Sequence, residues 1–137
     1  MYIIGFDYGT RRIGIAIGQT LTATAHPLTI VSVKKKQINW AHITTIIQEW
    51  QPDALVVGLP KHADGSDNTI TAAVRRFSWQ LQGRYQLPVH TIDETLSSVA
   101  AVEKMLSSPF LKKKNRKNLD AFAAQIILET WFTECHK

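Results

Sequence analysis

Four acidic residues border apolar segments, where little water is available to solvate a charge. Asp7 interrupts the first apolar segment, the pair Asp93-Glu94 follows another, and Asp120 precedes a third at residues 121–128. A carboxylate away from water is costly unless it pairs with a cation, accepts hydrogen bonds or binds a metal. If the three segments meet in the fold, their acids form a site for a hard cation such as Mg²⁺ or Mn²⁺.

Such a site has a characteristic chemistry. Carboxylates from separate elements hold one or two divalent ions and leave coordination positions for water and a phosphate oxygen. Two ions about 3.5 to 4 Å apart stabilise the attacking and leaving oxygens of an in-line displacement at phosphorus. The acids therefore predict metal-dependent hydrolysis of phosphodiesters.

Each acid taken alone also has an ordinary structural explanation. Asp7 begins an Asp-x-Gly sequence that suits a turn. Asp93, Glu94 and Asp120 suit the first turn of a helix, where the macrodipole favours negative charge. The hypothesis of a shared site depends on the three segments converging.

A second set of candidates is basic. The five bases Lys112, Lys113, Lys114, Arg116 and Lys117 lie on the stretch between Glu103 and Asp120, which contains no acid. They form either a solvated, self-repelling loop or a surface that attracts a phosphate backbone toward the acids. Arg11 and Arg12, in the first predicted turn, and Lys61, in a later loop, are further candidate contacts to nucleic acid.

Composition limits the class of protein. A chain of 137 residues with 45% hydrophobic content predicts a single domain over residues 1–137. A net charge of +5 favours a polyanionic partner, most commonly nucleic acid. Cys135 is the single cysteine, which excludes an internal disulfide and fits a reducing compartment. We expect a cytoplasmic protein with no membrane association, because no signal peptide or apolar run of about 20 residues is present.

The first half of the chain predicts strands and one helix. Residues 13–18 alternate bulky and small side chains, which predicts a strand. A turn over residues 8–12 joins it as a hairpin to the first strand, and Asp7 lies near the end of that first strand. Residues 28–33 predict a third strand. Apolar residues recur every three to four positions over 40–50, as in a helix, and residues 54–58 predict a buried strand.

The second half predicts a helix over 70–83, a strand over 88–92, a short helix over 99–106 and a final helix over 118–132. The order βββαβαβαα indicates an α/β fold with a mixed five-stranded sheet and helices on both faces. Ligands of such sheets gather at the carboxyl ends of the strands, where the first two acidic segments should meet. The acid of the final helix must reach the same crevice.

Four motifs along nearly the whole chain resemble the YqgF family in order and spacing. They are Phe6-Asp7-Tyr8-Gly9-Thr10 with Gly14, Val57-Gly58-Leu59-Pro60 followed by Asp64-Gly65-Ser66, Asp93-Glu94-Thr95-Leu96-Ser97-Ser98, and Lys117 with Asp120-Ala121-x-Ala123-Ala124. The family is named for nuclease action on pre-16S ribosomal RNA and, earlier, for Holliday junction resolution.

The resemblance implies an RNase H-like fold and Mg²⁺- or Mn²⁺-dependent phosphodiester hydrolysis, in cytoplasmic maturation of the 5′ end of 16S ribosomal RNA. By motif position, Asp7 corresponds to the first-strand acid, Glu94 or Asp93 to the acid after the late strand, and Asp120 to the helix acid. Asp7, Glu94 and Asp120 are then the expected metal ligands.

One position departs from the family pattern. The family usually has Arg after Asp-Glu, whereas this chain has Thr95, so a cation able to contact phosphate is missing there. Arg11, Arg12 and Lys117 are the candidates to replace it.

Three alternative functions stay open. One is a noncatalytic RNA- or DNA-binding factor with the same fold, and another is resolution of branched DNA by a symmetric dimer. The third arises because Asp7-Tyr8-Gly9-Thr10 also resembles the first phosphate loop of sugar kinases and actin-like ATPases, which need two such domains. The expected partners are pre-16S ribosomal RNA, branched DNA or ribosomal particles, and the protein is a monomer or a homodimer.

Overall fold

The computed structural model describes residues 1–9, 11–59, 69–93 and 113–135. The described elements in chain order are β1 (Tyr2–Tyr8), β2 (Arg12–Gln19), β3 (Thr24–Lys34), β4 (Gln37–Ile38), α1 (Trp40–Trp50), β5 (Ala54–Leu59), α2 (Thr69–Tyr85), β6 (Val89–Asp93) and α3 (Lys113–Cys135). The predicted helix over 99–106 lies outside the described residues, as do Lys61, Glu94 and Lys112.

Within the described ranges the strands form one mixed sheet in the order β4-β3-β2-β1-β5-β6. The first four strands pair antiparallel, whereas β5 runs parallel to both β1 and β6. The carboxyl ends of β1, β5 and β6 therefore share one edge of the sheet. The predicted mixed α/β architecture is confirmed, but the sheet has a sixth strand that the sequence pattern did not indicate.

The extra strand and the early start of β3 have local causes. β4 is only two residues long and pairs with the end of β3, too short to show an alternating pattern. β3 begins four residues before the predicted position because it pairs with β2 as far as Thr24. Pro27 is accommodated opposite Ala16, where the register shifts, as is usual for proline at a bulge.

The last helix begins earlier than predicted. The basic run was expected to break the helical pattern before residue 118, but Lys113 is the first residue of α3. Lysine and arginine are good helix formers, and this preference prevails over their repulsion and the unfavourable macrodipole at a helix start. The run from Lys113 to Lys117 is therefore helical, not a loop.

Helices cover both faces of the sheet, as predicted. The face under α1 and α2, called the α1/α2 face, buries large side chains that include Ile4, Phe6, Ile13, Ile15, Leu55, Val57, Ile43, Phe77 and Leu81. The face under α3, called the α3 face, buries Ile3, Ala16, Ala54, Val56, Ile92, Ala123, Ala124, Ile127, Leu128 and Phe132. In the part of the chain that the structure describes, no helix has both the length and the apolar character needed to cross a membrane.

Candidate active site

Helix α3 lies very close to the sheet because glycines face it. A Cβ atom added to Gly5 would stand 2.5 Å from Cγ of Leu128, and one on Gly18 would stand 2.9 Å from Cζ of Phe132. A Cβ atom on Gly14 would overlap the backbone carbonyl oxygen of Asp120. The backbone of Asp120 therefore rests directly on β2.

The same glycine connects the two acids. Asp7 on β1 is the cross-strand partner of Gly14, and directly opposed residues have Cα atoms about 4.5 to 5.5 Å apart and side chains on the same face. Phe6 and Tyr8 pack on the α1/α2 face, so strand alternation places Asp7 on the α3 face. Asp7, which is 7% exposed, and Asp120 thus meet across Gly14.

Asp120 forms an ion pair with Arg12, the first residue of β2. Nε of Arg12 donates a hydrogen bond to Oδ2 of Asp120 at 2.6 Å, and the two side chains are 32% and 13% exposed, respectively. Burial raises the pKa of Asp120 above its ordinary value, while the hydrogen bond and the positive charge of Arg12 lower it without cancelling the effect of burial. Asp120 therefore pairs with a neighbouring cation in a partly dry setting.

The structure does not bring Asp93 to this face. Asp93 is the last residue of β6. In this strand Ile92 packs on the α3 face and Val89 packs on the α1/α2 face. Alternation along the strand places Asp93 with Val89. The other acid of the pair, Glu94, lies outside the described residues.

The end of β6 is nevertheless close to Asp7. Phe6 pairs with Val57, and Val57 pairs with Thr91, so the three parallel strands are in step near their carboxyl ends. Two strand spacings separate β1 from β6, a distance of about 10 Å. The residue after Asp93 continues the chain from this edge.

The basic candidates are divided between two places. Arg11 is exposed beside the first hairpin, whereas Arg12 is engaged by Asp120. Lys113, Lys114, Arg116 and Lys117 occupy the first two turns of α3. Position 116 precedes Asp120 by four residues, so it lies on the same side of the helix, one turn nearer the start.

The donor set fits a hard divalent cation. Asp7 and Asp120 supply carboxylate oxygens from two elements, which Mg²⁺ and Mn²⁺ prefer. Among the described residues no three His, Cys, Asp or Glu side chains group closely enough to hold a metal ion. A complete site needs a third acid, and the pair that begins with the last residue of β6 is the place in the chain where the sequence supplies one.

Sequence reasoning missed the Arg12–Asp120 pair. The two residues are 108 positions apart, and nothing in the linear pattern links them. The hairpin register offered a usable signal for the rest of the site, because a glycine opposite Asp7 marks a place where another element can approach.

Known proteins similar to this chain share a family. The family described as RuvX, Holliday junction resolvase, matches residues 1–134. A protein of Hydrogenovibrio crunogenus named "Putative pre-16S rRNA nuclease" is 46% identical over 129 residues, covering 94% of this chain and 91% of that protein. A protein of Nitrosococcus oceani with the same name is 45% identical over 132 residues, covering 96% and 86%.

Solved structures with the same architecture support the fold. T. thermophilus RuvC in complex with a Holliday junction substrate aligns with a TM-score of 0.62 at 17% identity, over 99% of this chain and 96% of that one. The fowlpox virus Holliday junction resolvase aligns over the full length of both chains with a TM-score of 0.51 at 17% identity. The fold is that of the RNase H-like resolvases. Because the family match extends over nearly all residues, this chain belongs to the RuvX family, which is also called YqgF.

Proposed function

We propose that this protein is a divalent-metal-dependent nuclease that cleaves phosphodiester bonds during maturation of the 5′ end of pre-16S ribosomal RNA. The observation that carries the proposal is the convergence of Asp7 and Asp120 across Gly14. The relatives named as pre-16S rRNA nucleases, at 46% and 45% identity, support the choice of substrate.

Asp7, Asp120 and Glu94 are the proposed metal ligands. Glu94 is preferred over Asp93 because alternation along β6 assigns Asp93 to the α1/α2 face, away from the other two acids. A bound Mg²⁺ or Mn²⁺ would lower the pKa of a coordinated water and stabilise charge on the phosphate oxygens.

Arg12 is the proposed substitute for the arginine that the family usually carries at position 95. Its hydrogen bond and charge oppose the effect of burial on the pKa of Asp120, so it favours the ionised form that a metal requires. Arg12 is one-third exposed and therefore also accessible to a phosphate group. Arg12 would therefore contact both the Asp120 carboxylate and a phosphate group of the substrate.

The start of α3 is the proposed electrostatic contact to the RNA backbone. Several bases in the first turns repel one another and oppose the helix macrodipole, which favours anions at this end. Binding of a polyanion relieves both penalties and releases counterions. Since the same helix carries Asp120, RNA held there would lie toward the acids.

Incubation of the purified chain with a 16S precursor fragment, with Mn²⁺, with Mg²⁺ and with chelator, tests the proposal. Asp7→Asn should abolish cleavage and leave RNA binding within about twofold of wild type, because one buried acid contributes little to backbone contacts. Asp53→Asn is the matched control, since Asp53 is an exposed acid next to β5. Cleavage by Asp7→Asn at the wild-type rate would overturn the assignment of the site.

Resolution of branched DNA is the second candidate, favoured by the description of the matching family. Symmetric cutting of a four-way junction needs two active sites related by a two-fold axis. Parallel assays on four-way DNA and on structured RNA, with molar mass measured by light scattering, decide between the candidates. Binding of both substrates without cleavage in any metal would instead favour a noncatalytic nucleic-acid-binding factor.

A further inference from the structure

A cleft of about 400 Å³ opens on the α1/α2 face, on the other side of the sheet from Asp7 and Asp120. It is called the α2 cleft here. β1, the β3–β4 hairpin, the start of α1 and one side of α2 line it, and its polar and aromatic lining residues are Tyr8, Lys36, Gln37, Trp40, Arg76 and Gln80. Its volume is within the range of sites for small organic ligands.

The charge of the α2 cleft favours an anion. Lys36 and Arg76 line it, and no Asp or Glu is among the described lining residues. The guanidinium of Arg84 adds a third cation on this face, 4.2 Å from the centre of the Trp40 ring. The segment from Tyr8 to Gln48 contains no Asp or Glu, so it supplies no negative charge to neutralise Lys36.

The aromatic wall of the cleft packs against the core. The rings of Tyr8 and Trp40 lie 5.2 Å and 5.7 Å from the ring of Phe77, which is buried in the core. Tyr8 and Trp40 themselves are half-buried. Because the Arg84 guanidinium already lies over the Trp40 ring, Tyr8 is the candidate platform. Partly exposed aromatic rings are the usual platforms for unpaired nucleobases.

The β3–β4 turn brings one of its two lysines to the cleft. Lys35 and Lys36 form the two-residue turn between Lys34 and Gln37, with φ of 52° and 63°. Positive φ at both central positions is typical of a type I′ turn, for which Asn and Gly are strongly preferred. Both lysines share this conformation, and of the two only Lys36 is among the described lining residues of the cleft.

The α2 cleft begins one residue away from the candidate active site. Asp7 and Tyr8 are neighbours on β1, and strand alternation directs them to opposite faces of the same carboxyl edge. A single strand that crosses this edge can place one phosphodiester near Asp7 and a neighbouring nucleotide in the cleft. A fully paired duplex cannot do so without opening a base pair.

We propose that the α2 cleft binds one nucleoside monophosphate unit, with the base against Tyr8 and the phosphate between Lys36 and Arg76. The occupant is an unpaired nucleotide next to the bond that is cut, an assignment that rests on the proposed nuclease function. The protein then selects substrates that have a single-stranded segment beside the cleavage position.

The turn itself provides a matched pair of variants. Lys36→Gly and Lys35→Gly each remove one positive charge and each relieve a positive φ, but of these two only Lys36 is among the described lining residues of the cleft. Both variants should melt slightly above wild type, which excludes misfolding as the cause of any loss. Affinity for a labelled single-stranded RNA, measured by anisotropy, should fall about tenfold in Lys36→Gly and less than about twofold in Lys35→Gly.

A second pair tests the same cleft from the helix. Arg76→Gln removes a lining cation, whereas Arg75→Gln removes the charge of the preceding exposed residue. We expect the loss of affinity to follow Arg76. Equal losses within both pairs would overturn the proposal, because a general electrostatic field would then account for binding.

Two further arms identify the ligand and separate this proposal from the proposed function. Uridine monophosphate is titrated into the protein, and tryptophan fluorescence reports its binding. Weaker binding of uridine monophosphate by Lys36→Gly than by wild type supports a cleft that holds a free nucleotide. A response to the oligonucleotide but not to uridine monophosphate supports a cleft that holds a nucleotide only as part of a strand. Wild-type cleavage of RNA combined with equal binding by Lys36→Gly and Lys35→Gly would overturn only the cleft. Absence of cleavage combined with weaker binding by Lys36→Gly would overturn only the nuclease assignment.

Discussion

The two faces of the sheet are packed in different ways. On the α1/α2 face large side chains interlock, with the rings of Phe6 and Phe77 edge to face at 5.6 Å. On the α3 face three glycines lack side chains, so the helix backbone contacts β2 at Gly14, and helix side chains fill the space over the other two glycines. The first arrangement maximises buried apolar area, and the second fixes the position of Asp120 beside Asp7.

This difference teaches that stability and chemistry are separated by face. Removing volume from the α1/α2 face should lower the free energy of unfolding without moving the acids. Adding volume to the α3 face should move the acids at a smaller cost in stability. The following substitutions test this separation, beginning with the largest expected change in stability.

Ile43→Ala should give the largest loss of stability. Ile43 on α1 is fully buried, and truncation of such a residue leaves a cavity that costs about 2 to 5 kcal/mol. Urea unfolding followed by tryptophan fluorescence measures the loss. Cleavage per folded molecule, assayed in the cold, should equal that of wild type, and a lower value would show that the two faces are not independent.

Gly14→Ala should lower stability less than Ile43→Ala and should lower cleavage much more. The added Cβ atom overlaps the carbonyl of Asp120, so α3 must shift, at a cost of about 1 to 3 kcal/mol. We expect cleavage to be lost in molecules that remain folded. Gly83→Ala is the control, because no described atom lies within 4 Å of that Cβ position and alanine should stabilise α2 by up to about 1 kcal/mol. Wild-type cleavage by Gly14→Ala would contradict the proposed geometry.

Asp120→Asn should change stability little while abolishing cleavage. Burial raises the pKa of Asp120 despite Arg12, so ionisation of this carboxyl opposes folding at neutral pH. The folded form binds the proton more tightly than the unfolded form, and wild type therefore gains stability relative to the variant as the pH falls through the folded-state pKa toward 3.8. Unfolding in chelator at neutral and acidic pH measures the difference, expected to stay within about 1 kcal/mol. If wild type instead loses stability relative to Asp120→Asn as the pH falls, burial is not the dominant influence on the pKa of Asp120.

Arg12→Gln should give the smallest effect on stability and a specific effect on titration. Without the hydrogen bond and the charge of Arg12, the pKa of Asp120 should rise further, because burial then acts unopposed. The acidic limb of the cleavage profile should move to higher pH. Carboxyl NMR titration checks the pKa, and Arg11→Gln, which alters an exposed neighbour, should leave it unchanged.

The sequence predicts the fold well where the pattern is long. The alternation from Ile13 to Ile17 and the helical repeat from Trp40 to Trp50 correspond to β2 and α1. The pattern fails where tertiary pairing decides, as in the two-residue β4. It also fails at the start of α3, where charge repulsion suggested a loop and the helical preference of lysine and arginine prevailed.

The site is predictable only in part for similar reasons. Asp7 and Asp120 stand out because charge next to apolar sequence is unusual, and the structure brings them together. The pairing of Arg12 with Asp120 follows from the contact of α3 with β2, which no local pattern reports. The face on which Asp93 lies depends on the register of β6, which requires the sheet itself.

The pairing of Asp7 with Gly14 ties folding and reactivity to a single count of residues. Lengthening or shortening β1 by one position ahead of Asp7 would turn the carboxylate toward the aromatic core and Phe6 toward the helix that leaves no room for it. Because both changes follow from the same one-residue shift, a chain with the wrong register would lose its core packing and its active site together. The register of the β1–β2 hairpin thus determines packing and catalysis together.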